Sequence, residues 1–453
     1  MLRAPEHSLI MALLLLYFCL GALFVVRTPA WQAPDEPAHY NYIAQLSTNG
    51  CCPVITPGDW DSAYLSALTS ARFAPDLLAD LDTIQYEDHQ PPLYYLLLAP
   101  VFSLTDGSLM ALRFVSLMIG AGVVLSAYAV GRQIFPARPQ IALGTAAFVA
   151  FVPQHLVFLS AVNNDVLAEL IVGLALLGMI NYLRTPRPGR AALLLGLLIG
   201  IGFWTKTTVY FLAGIVPLAI LLRWWLDGLG AQPRRLRPLL GAWARFLIPA
   251  LLLGLIWWGR NLSVYGVPDF MGLATHDVVV ADQPRTADLA AEWGLEAYLR
   301  FAAQTTFNSF WGQFGWMARP LPAWSYMLIQ LLLALIIGGW LLGWTVVRRD
   351  AVQHPRERRA IWIIFAVTVA LTGAQYLFFN LEFVQPQGRY LFTALIPLGV
   401  WAALGLDAWR RLLVRLRGGI DGPLLRWAAL LPLGLLVALN LFVIWRELPS
   451  LAP

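Results

Sequence analysis

Two adjacent carboxylates, Asp35 and Glu36, stand between Pro34 and Pro37 directly after the first long apolar run of the chain. A carboxylate in a partly desolvated cleft can act as a general base, because burial raises its proton affinity. The same residues also suit the beginning of a helix, since proline fits the first turn and carboxylates favour the N-terminal end of the helix dipole. The sequence leaves both roles open, and the catalytic role requires partners.

Side chains that could be those partners occur at the ends of other apolar runs. They are Asn163, Asn164, Asp165, Lys206 (the only lysine in the chain), Arg260, Asn261, Gln387 and Arg389. Each of them singly fits an interfacial residue that snorkels to water. Together they indicate a cavity, because ionisable groups at membrane depth are costly and usually line a substrate path. Cations beside carboxylates favour a site that holds a phosphate while a base acts nearby.

The elements that must position these residues are long apolar helices. Hydrophobic residues make up 59% and charged residues 13% of the 453 residues, so the bilayer must solvate most of the chain. Runs of about 18 residues or more can cross a hydrocarbon layer of about 30 Å. We predict an all-α integral membrane fold, a single polytopic domain over residues 1–453 with about 11 transmembrane helices. They lie near residues 8–26, 109–130, 141–160, 166–183, 191–204, 207–225, 246–258, 321–344, 361–379, 391–409 and 427–444.

The apolar segment 91–104 decides the topology. As a helix it would cover roughly 21 Å, too short for a span, so we expect it to lie in the outer interface. With the N-terminus inside, 21 of the 31 lysine and arginine residues then fall on the cytoplasmic side, as the positive-inside rule requires. We therefore predict a multi-pass protein of the plasma or inner membrane with an extracytoplasmic site. Two large external loops, 27–108 and 259–320, would carry interfacial helices.

Charge and metal-ligand patterns exclude other classes. The formal charge of +5 comes from arginines in short loops, not from one basic face, so we predict no nucleic-acid partner. Cys51 and Cys52 are adjacent and build neither a disulfide framework nor a CxxC pattern. The external histidines are His39, His89, His155 and His276, without an HExxH spacing. We predict no metal site, with a divalent cation left open as a cofactor.

Several short motifs resemble those of the polyprenyl-phosphate-dependent, GT-C-type membrane glycosyltransferases, which include protein O-mannosyltransferases and lipid A aminoarabinose transferases. They are Pro-Asp-Glu-Pro-Ala-His-Tyr at 34–40, His-Gln-Pro-Pro-Leu-Tyr-Tyr at 89–95, Arg-Phe at 113–114 and Asn-Asp at 164–165. Residues 260–266, 310–316 and 387–391 look like an uncharacterised bacterial branch of this superfamily. The resemblance implies a GT-C-like fold and a cell-envelope glycosyltransferase.

The resemblance also implies the partners and the site. A polyprenyl-phosphate-linked sugar would enter from the bilayer and pass with inversion to a hydroxyl acceptor outside the cytoplasm. Asp35 matches the catalytic base, Glu36 is the adjacent acid of that motif, and Asp165 matches the acidic residue of the second external loop. Candidate substrate-binding residues are His39, His89, Asn164, Lys206, Arg260, Arg389 and Tyr390. At His89 the chain departs from the aminoarabinose transferases, which carry acidic and lysine residues before their paired prolines.

Two other classes compete with the enzyme. A transporter or flippase of a lipid-linked or anionic substrate would also place charges near helix ends, but such proteins commonly show paired halves and midplane sites, which this sequence lacks. A non-catalytic assembly or receptor protein would tolerate substitution of the first-loop acids. Most of the 19 tryptophans fit an interfacial belt, while Trp311 and Trp316 could stack on a sugar.

Overall fold

The computed structural model describes residues 5–185, 188–227, 236–346 and 355–453. Some arginines assigned above to the cytoplasmic side lie outside the described residues, namely Arg3, Arg187, Arg234, Arg235, Arg348 and Arg349. The described chain is helical apart from loops and one short hairpin, in which β1 (Gln313–Phe314) pairs antiparallel with β2 (Arg319–Pro320).

The helices follow one another in a single polytopic bundle. In chain order they are α1 (Pro5–Arg27), α2 (Glu36–Asn49), α3 (Ser62–Ser70), α4 (Leu93–Leu104), α5 (Leu109–Ile134), α6 (Pro139–Phe151), α7 (Pro153–Leu159), α8 (Asp165–Arg184), α9 (Pro188–Phe203), α10 (Leu212–Asp227), α11 (Arg237–Tyr265), α12 (Leu273–Val279), α13 (Thr286–Trp293), α14 (Leu295–Trp311), α15 (Ala323–Val346), α16 (Pro355–Glu382), α17 (Leu395–Leu416), α18 (Pro423–Ala428) and α19 (Gly434–Phe442). Short 3-10 turns add Pro75–Thr83 and Gly388–Ala394, the second of which leads into α17.

The count of membrane crossings agrees with the sequence. Among the described residues, nine helices are long and apolar enough to cross, and α6 with α7 forms a further segment bent by 71°. The shorter α9 has 16 residues, but it begins just after α8 ends and brings Lys206 back to Asp165, the first residue of α8. Helix α9 thus returns along α8, against which it packs, and we count it as a further crossing. The predicted all-α fold of about eleven crossings is confirmed.

Side chains provide hydrogen-bond partners for the backbone carbonyl oxygens freed at the bend between α6 and α7. Pro153 has no N–H, so the Val149 carbonyl oxygen loses its helical donor. The ring of His155 supplies one, with Nδ1 2.6 Å from Val149 O, and Asn440 Nδ2 donates to Phe151 O at 2.8 Å. Backbone groups freed inside a bilayer require such partners, because no water is available there. The bend is therefore built into the bundle and brings α7 beneath the candidate site.

Helix α4 lies within segment 91–104, for which we predicted an interfacial position. Its 12 residues cover roughly 18 Å, too little for a crossing. It packs against α2 and α5, and Leu93 N–H donates to Trp204 O at 2.8 Å, which ties its beginning to the end of α9.

The two large loop regions lie together at one end of the bundle, which we call the site end. Arg260, near the end of α11, donates from Nη2 to Pro53 O at 2.5 Å, and the side chains of Trp60 and Ser62 donate to Asp282. Helix α11 continues to Tyr265, within the predicted second region. These contacts cover the ends of the helices that carry the candidate residues.

Candidate active site

Asp35 stands at the beginning of α2, with its side chain turned to a cavity. It occupies the N-cap position with a left-handed backbone (φ 66°), but its carboxylate makes no capping hydrogen bond. Instead Tyr86 Oη donates to Asp35 Oδ1 at 2.8 Å, and Arg389 Nη2 donates to Asp35 Oδ2 at 2.5 Å. A positive φ is uncommon outside glycine, although aspartate adopts it more readily than most residues. Helix capping therefore does not explain this side chain.

Two opposing effects act on the Asp35 carboxyl. Burial alone would raise its pKa, because the charged form loses hydration. The adjacent guanidinium of Arg389, with the hydrogen bonds from Arg389 and Tyr86, holds the pKa of Asp35 below its usual value. Asp35 is therefore ionised at neutral pH and can accept a hydrogen bond from a hydroxyl.

Arg389 reaches Asp35 because the turn before α17 packs very closely on α14. A Cβ at Gly388 would lie 2.3 Å from Phe310 N, so only glycine fits there, and Gly388 N–H donates to Ser309 Oγ at 2.8 Å. The guanidinium of Arg389 lies 4.9 Å from the ring centre of Phe158 in α7, a cation–π contact. Its Nε is buried without a hydrogen-bond partner, so one donor of Arg389 remains for a ligand.

Asp35 and Arg389 open onto a cavity of about 240 Å³ at the site end. Its wall combines aromatic, amide and acidic side chains, a composition suited to a sugar. The lining residues include Trp60, Tyr86, Glu87, His276, Gln283, Trp316, Gln385, Gln387 and Tyr390. Of the two tryptophans that the sequence singled out, Trp316 lies in this wall, whereas Trp311 is buried against Phe148 and Phe310.

A second ion pair joins α8 to the end of α9. Lys206 Nζ donates to Asp165 Oδ1 at 2.5 Å, and both side chains are mostly buried. Asn163 Oδ1 accepts from the Asp165 backbone N–H at 2.8 Å, which fixes the first turn of α8. The structure thus brings the predicted acid of the second loop together with the only lysine of the chain.

His39 lies between the two ion pairs. Tyr95 Oη accepts from Asn164 Nδ2 at 3.2 Å and lies 2.9 Å from His39 Nδ1, so the tyrosine hydroxyl can donate to the imidazole. Burial, followed by the charge of Lys206, lowers the pKa of His39 to about 3, although Asp35 and Asp165 act in the opposite direction. His39 is therefore neutral.

Glu36 is placed apart from the cavity, unlike its neighbour Asp35. Its side chain is fully buried. Arg113 donates two hydrogen bonds to it, from Nε to Oε1 at 2.8 Å and from Nη2 to Oε2 at 2.5 Å. The backbone N–H groups of Trp31 and Val162 donate to the same carboxylate at 3.2 Å each. Both of its oxygen atoms are engaged in holding α1, α2 and α5 together, so we propose a structural role for Glu36, which the sequence grouped with the catalytic candidates.

His89 and Arg260 also lie outside the cavity lining. His89 is buried with Nδ1 3.1 Å from Tyr86 O, and its ring is 4.4 Å from that of His276. Arg260 Nη2 donates to the carbonyl oxygens of Cys52 and Pro53, where the two loop regions meet. Both residues therefore support the loops that form the cavity wall.

Glu87 and Asp88 were not singled out from the sequence among the carboxylates of the first predicted external loop. Burial, followed by the charge of Asp35, raises the pKa of Glu87 to about 7, and Glu87 lines the cavity. Burial also raises the pKa of Asp88 to about 8, although Gln45 Nε2 donates to its Oδ2 at 2.7 Å. The only feature of the sequence that could have drawn attention to them is their position directly before the His-Gln-Pro-Pro motif.

Among the described residues, no group of three or more His, Cys, Asp or Glu side chains forms a metal site.

Replacing Asp88 by asparagine is expected to stabilise the protein increasingly as the pH rises from about 4 to 8. In that range the folded protein keeps a proton on Asp88 that the unfolded chain has lost, so wild-type stability falls with pH by on the order of 1 kcal/mol per pH unit. An asparagine keeps the bond from Gln45 and removes this dependence. Thermal unfolding of Asp88→Asn in nanodiscs from pH 5 to 9 measures the effect, with the exposed Asp76→Asn as control. A pH-independent difference from the wild type would contradict it.

The chain is similar to known proteins over most of its length. Residues 89–257 match a family model described as dolichyl-phosphate-mannose-protein mannosyltransferase. The undecaprenyl phosphate-alpha-4-amino-4-deoxy-L-arabinose arabinosyl transferase of Pseudomonas aeruginosa is 26% identical over 464 residues, covering 94% of this chain and 74% of that protein. Among solved structures, ArnT from Cupriavidus metallidurans bound to undecaprenyl phosphate has 15% identity and a TM-score of 0.48, covering 99% of this chain and 74% of that one. The Archaeoglobus fulgidus oligosaccharyltransferase has 15% identity and a TM-score of 0.47, covering 94% and 53% respectively.

Proposed function

We propose, on the premise that this chain is a membrane glycosyltransferase of the GT-C-type superfamily, that it moves a sugar from a polyprenyl-phosphate donor to a hydroxyl acceptor. The transfer inverts the anomeric carbon and takes place on the extracytoplasmic face. The arginine-rich end of the bundle, opposite the site end, would then face the cytoplasm, together with the N-terminus.

The observation that carries this proposal is the pairing of Asp35 with Arg389 at one cavity. An ionised carboxylate can take the proton of an acceptor hydroxyl, and a buried cation beside it can stabilise the negative charge that develops on a leaving phosphate. Both requirements of glycosyl transfer from a lipid phosphate thus meet within one ion pair.

The reaction follows from this geometry. The acceptor oxygen attacks the anomeric carbon while Asp35 takes its proton, and the bond from that carbon to the phosphate oxygen breaks with its electrons. The unpartnered Nε of Arg389 is available to the departing phosphate. Lys206, paired with Asp165 at the end of α9, supplies a second cation near the cavity, and its charge acts on both His39 and Glu87.

Side chains in the cavity wall that suit a sugar also support the proposed transfer. Trp316 presents an aromatic face in the cavity wall, and Gln283, Gln385 and Gln387 provide amides for sugar hydroxyls. The candidate charges stand at helix ends and not at the middle of the bundle, which favours transfer over transport.

A transfer assay tests the proposal. Purified protein in nanodiscs is given radiolabelled polyprenyl-phosphate sugars, including mannose and 4-amino-4-deoxy-arabinose donors, with a membrane extract as acceptor source, with and without a chelator. We expect acceptor-dependent release of polyprenyl phosphate from one donor, and an inverted anomeric configuration of the product by NMR. Absence of release from every donor would overturn the proposal and favour a transporter, to be examined by flux into sealed vesicles.

A further inference from the structure

Glu87 is a second carboxyl of the cavity, and the proposed transfer leaves it without a task. It shares the cavity wall with Asp35 and Arg389, and its Oε2 is buried without a hydrogen-bond partner. The adjacent Asp88 also has one oxygen, Oδ1, buried without a partner, but Gln45 donates to its Oδ2 at 2.7 Å and it lies outside the cavity wall. A buried carboxylate without a partner is costly, so its place beside the reacting groups requires an explanation in terms of function.

Charged or titratable groups from four parts of the chain face Glu87. They are Asp35 before α2, Lys206 after α9, His276 in α12 and Arg389 before α17. The hydroxyls of Tyr86 and Tyr95 and the carboxyl of Asp88 also lie close enough to interact with its charge.

The two cavity carboxyls differ in their affinity for protons. The pKa of Asp35 is held below its usual value, whereas burial and the charge of Asp35 raise the pKa of Glu87 to about 7. Paired titratable groups whose pKa values are pushed apart commonly divide the proton-handling roles of a site. Asp35 therefore binds a proton weakly, and Glu87, in the same cavity wall, binds it more strongly.

We propose that Glu87 receives the acceptor proton from Asp35 after each transfer and so restores the Asp35–Arg389 ion pair. The inference rests on the proposed transfer. The hydroxyl loses its proton to Asp35 as the new carbon–oxygen bond forms, and the leaving phosphate keeps the electrons of the broken bond. The proton then moves to the Glu87 carboxylate, which releases it to water through the cavity.

This role requires Glu87 to be ionised when transfer begins. Since its pKa is about 7, the wild-type rate should fall as the pH drops below 7 and level off above it. We call this fall of the rate below pH 7 the limb of the pH profile. In Glu87→Gln we expect a rate about 10- to 100-fold lower at pH 8 and no limb. Polyprenyl phosphate release, measured from pH 5.5 to 8.5 in nanodiscs, provides the profile.

Two control variants separate the alternatives. Asp88→Asn removes the neighbouring buried carboxyl outside the cavity wall and should keep the limb. His276→Asn removes the histidine of the cavity wall and should keep the limb too. An unchanged limb in Glu87→Gln, or loss of the limb only in His276→Asn, would overturn the proton role while the transfer itself stands. Absence of turnover by the wild type would overturn the proposed function together with this inference.

Discussion

Asp35→Asn is expected to lower sugar transfer by about 10² to 10⁴-fold, the usual loss when a general base is removed. The amide cannot take the acceptor proton. Its oxygen can still accept from Arg389, while its NH2 group can donate to the hydroxyl oxygen of Tyr86, in place of the two bonds that Asp35 accepts, so the cavity should keep its shape. The same polyprenyl phosphate release measures the loss, at a pH above 8 where Glu87 is ionised.

The matched control for this variant is Asp76→Asn. Asp76 belongs to the same loop region but is exposed to solvent, so an identical change of charge there should leave the rate unaltered. A binding measurement with a labelled donor separates chemistry from affinity, because a base contributes mainly to the rate. Full transfer by Asp35→Asn would remove Asp35 from the mechanism.

Arg113→Met is expected to cost about 3 to 5 kcal/mol of stability, because it leaves the Glu36 carboxylate buried without its counter-charge. Arg113 makes three further hydrogen bonds, to the carbonyl oxygens of Val25, Thr28 and Pro29, and the variant loses all three. Denaturant or thermal unfolding in detergent measures the change. The loop that carries Asp35 should lose its position in the same variant.

Two comparisons make this prediction specific. Arg300→Met breaks the exposed pair with Glu296, and should change stability little, because surface ion pairs are worth little. The double variant with Arg113→Met and Glu36→Gln should recover part of the loss, since no unpaired charge remains buried. Equal stability of Arg113→Met and the wild type would show that this ion pair does not hold the helices together.

Much of the fold was predictable because the bilayer imposes length and composition on each crossing. The apolar runs located the crossings, including α9, whose 16 residues fall short of an ordinary span. The run at 91–104 is as long as the run at 191–204, so the distribution of arginines separated it from the crossings. In the structure α4 has only 12 residues, too few to cross. The bend between α6 and α7 was not predicted, since it depends on side chains as distant as Asn440.

The candidate site was only partly predictable. Asp35, Arg389 and Tyr390, three of the candidates named from the sequence, line one cavity. Adjacent residues nevertheless took different roles, because successive residues entering a helix point in different directions. Asp35 turns to Arg389, 354 residues later in the chain, whereas Glu36 turns into the bundle toward Arg113.

The sequence by itself determined a polytopic helical membrane protein with an acid at the end of its first crossing, because hydrophobic length and charge asymmetry are local properties of a chain. Only the tertiary structure decided which cation faces which acid, and which acids remain unpaired. Burial and neighbouring charge set the proton affinity of a carboxyl, and both come from distant segments. For that reason Glu87, an ordinary loop residue in the sequence, stands in the structure as the cavity carboxyl whose pKa of about 7 lies nearest neutral pH.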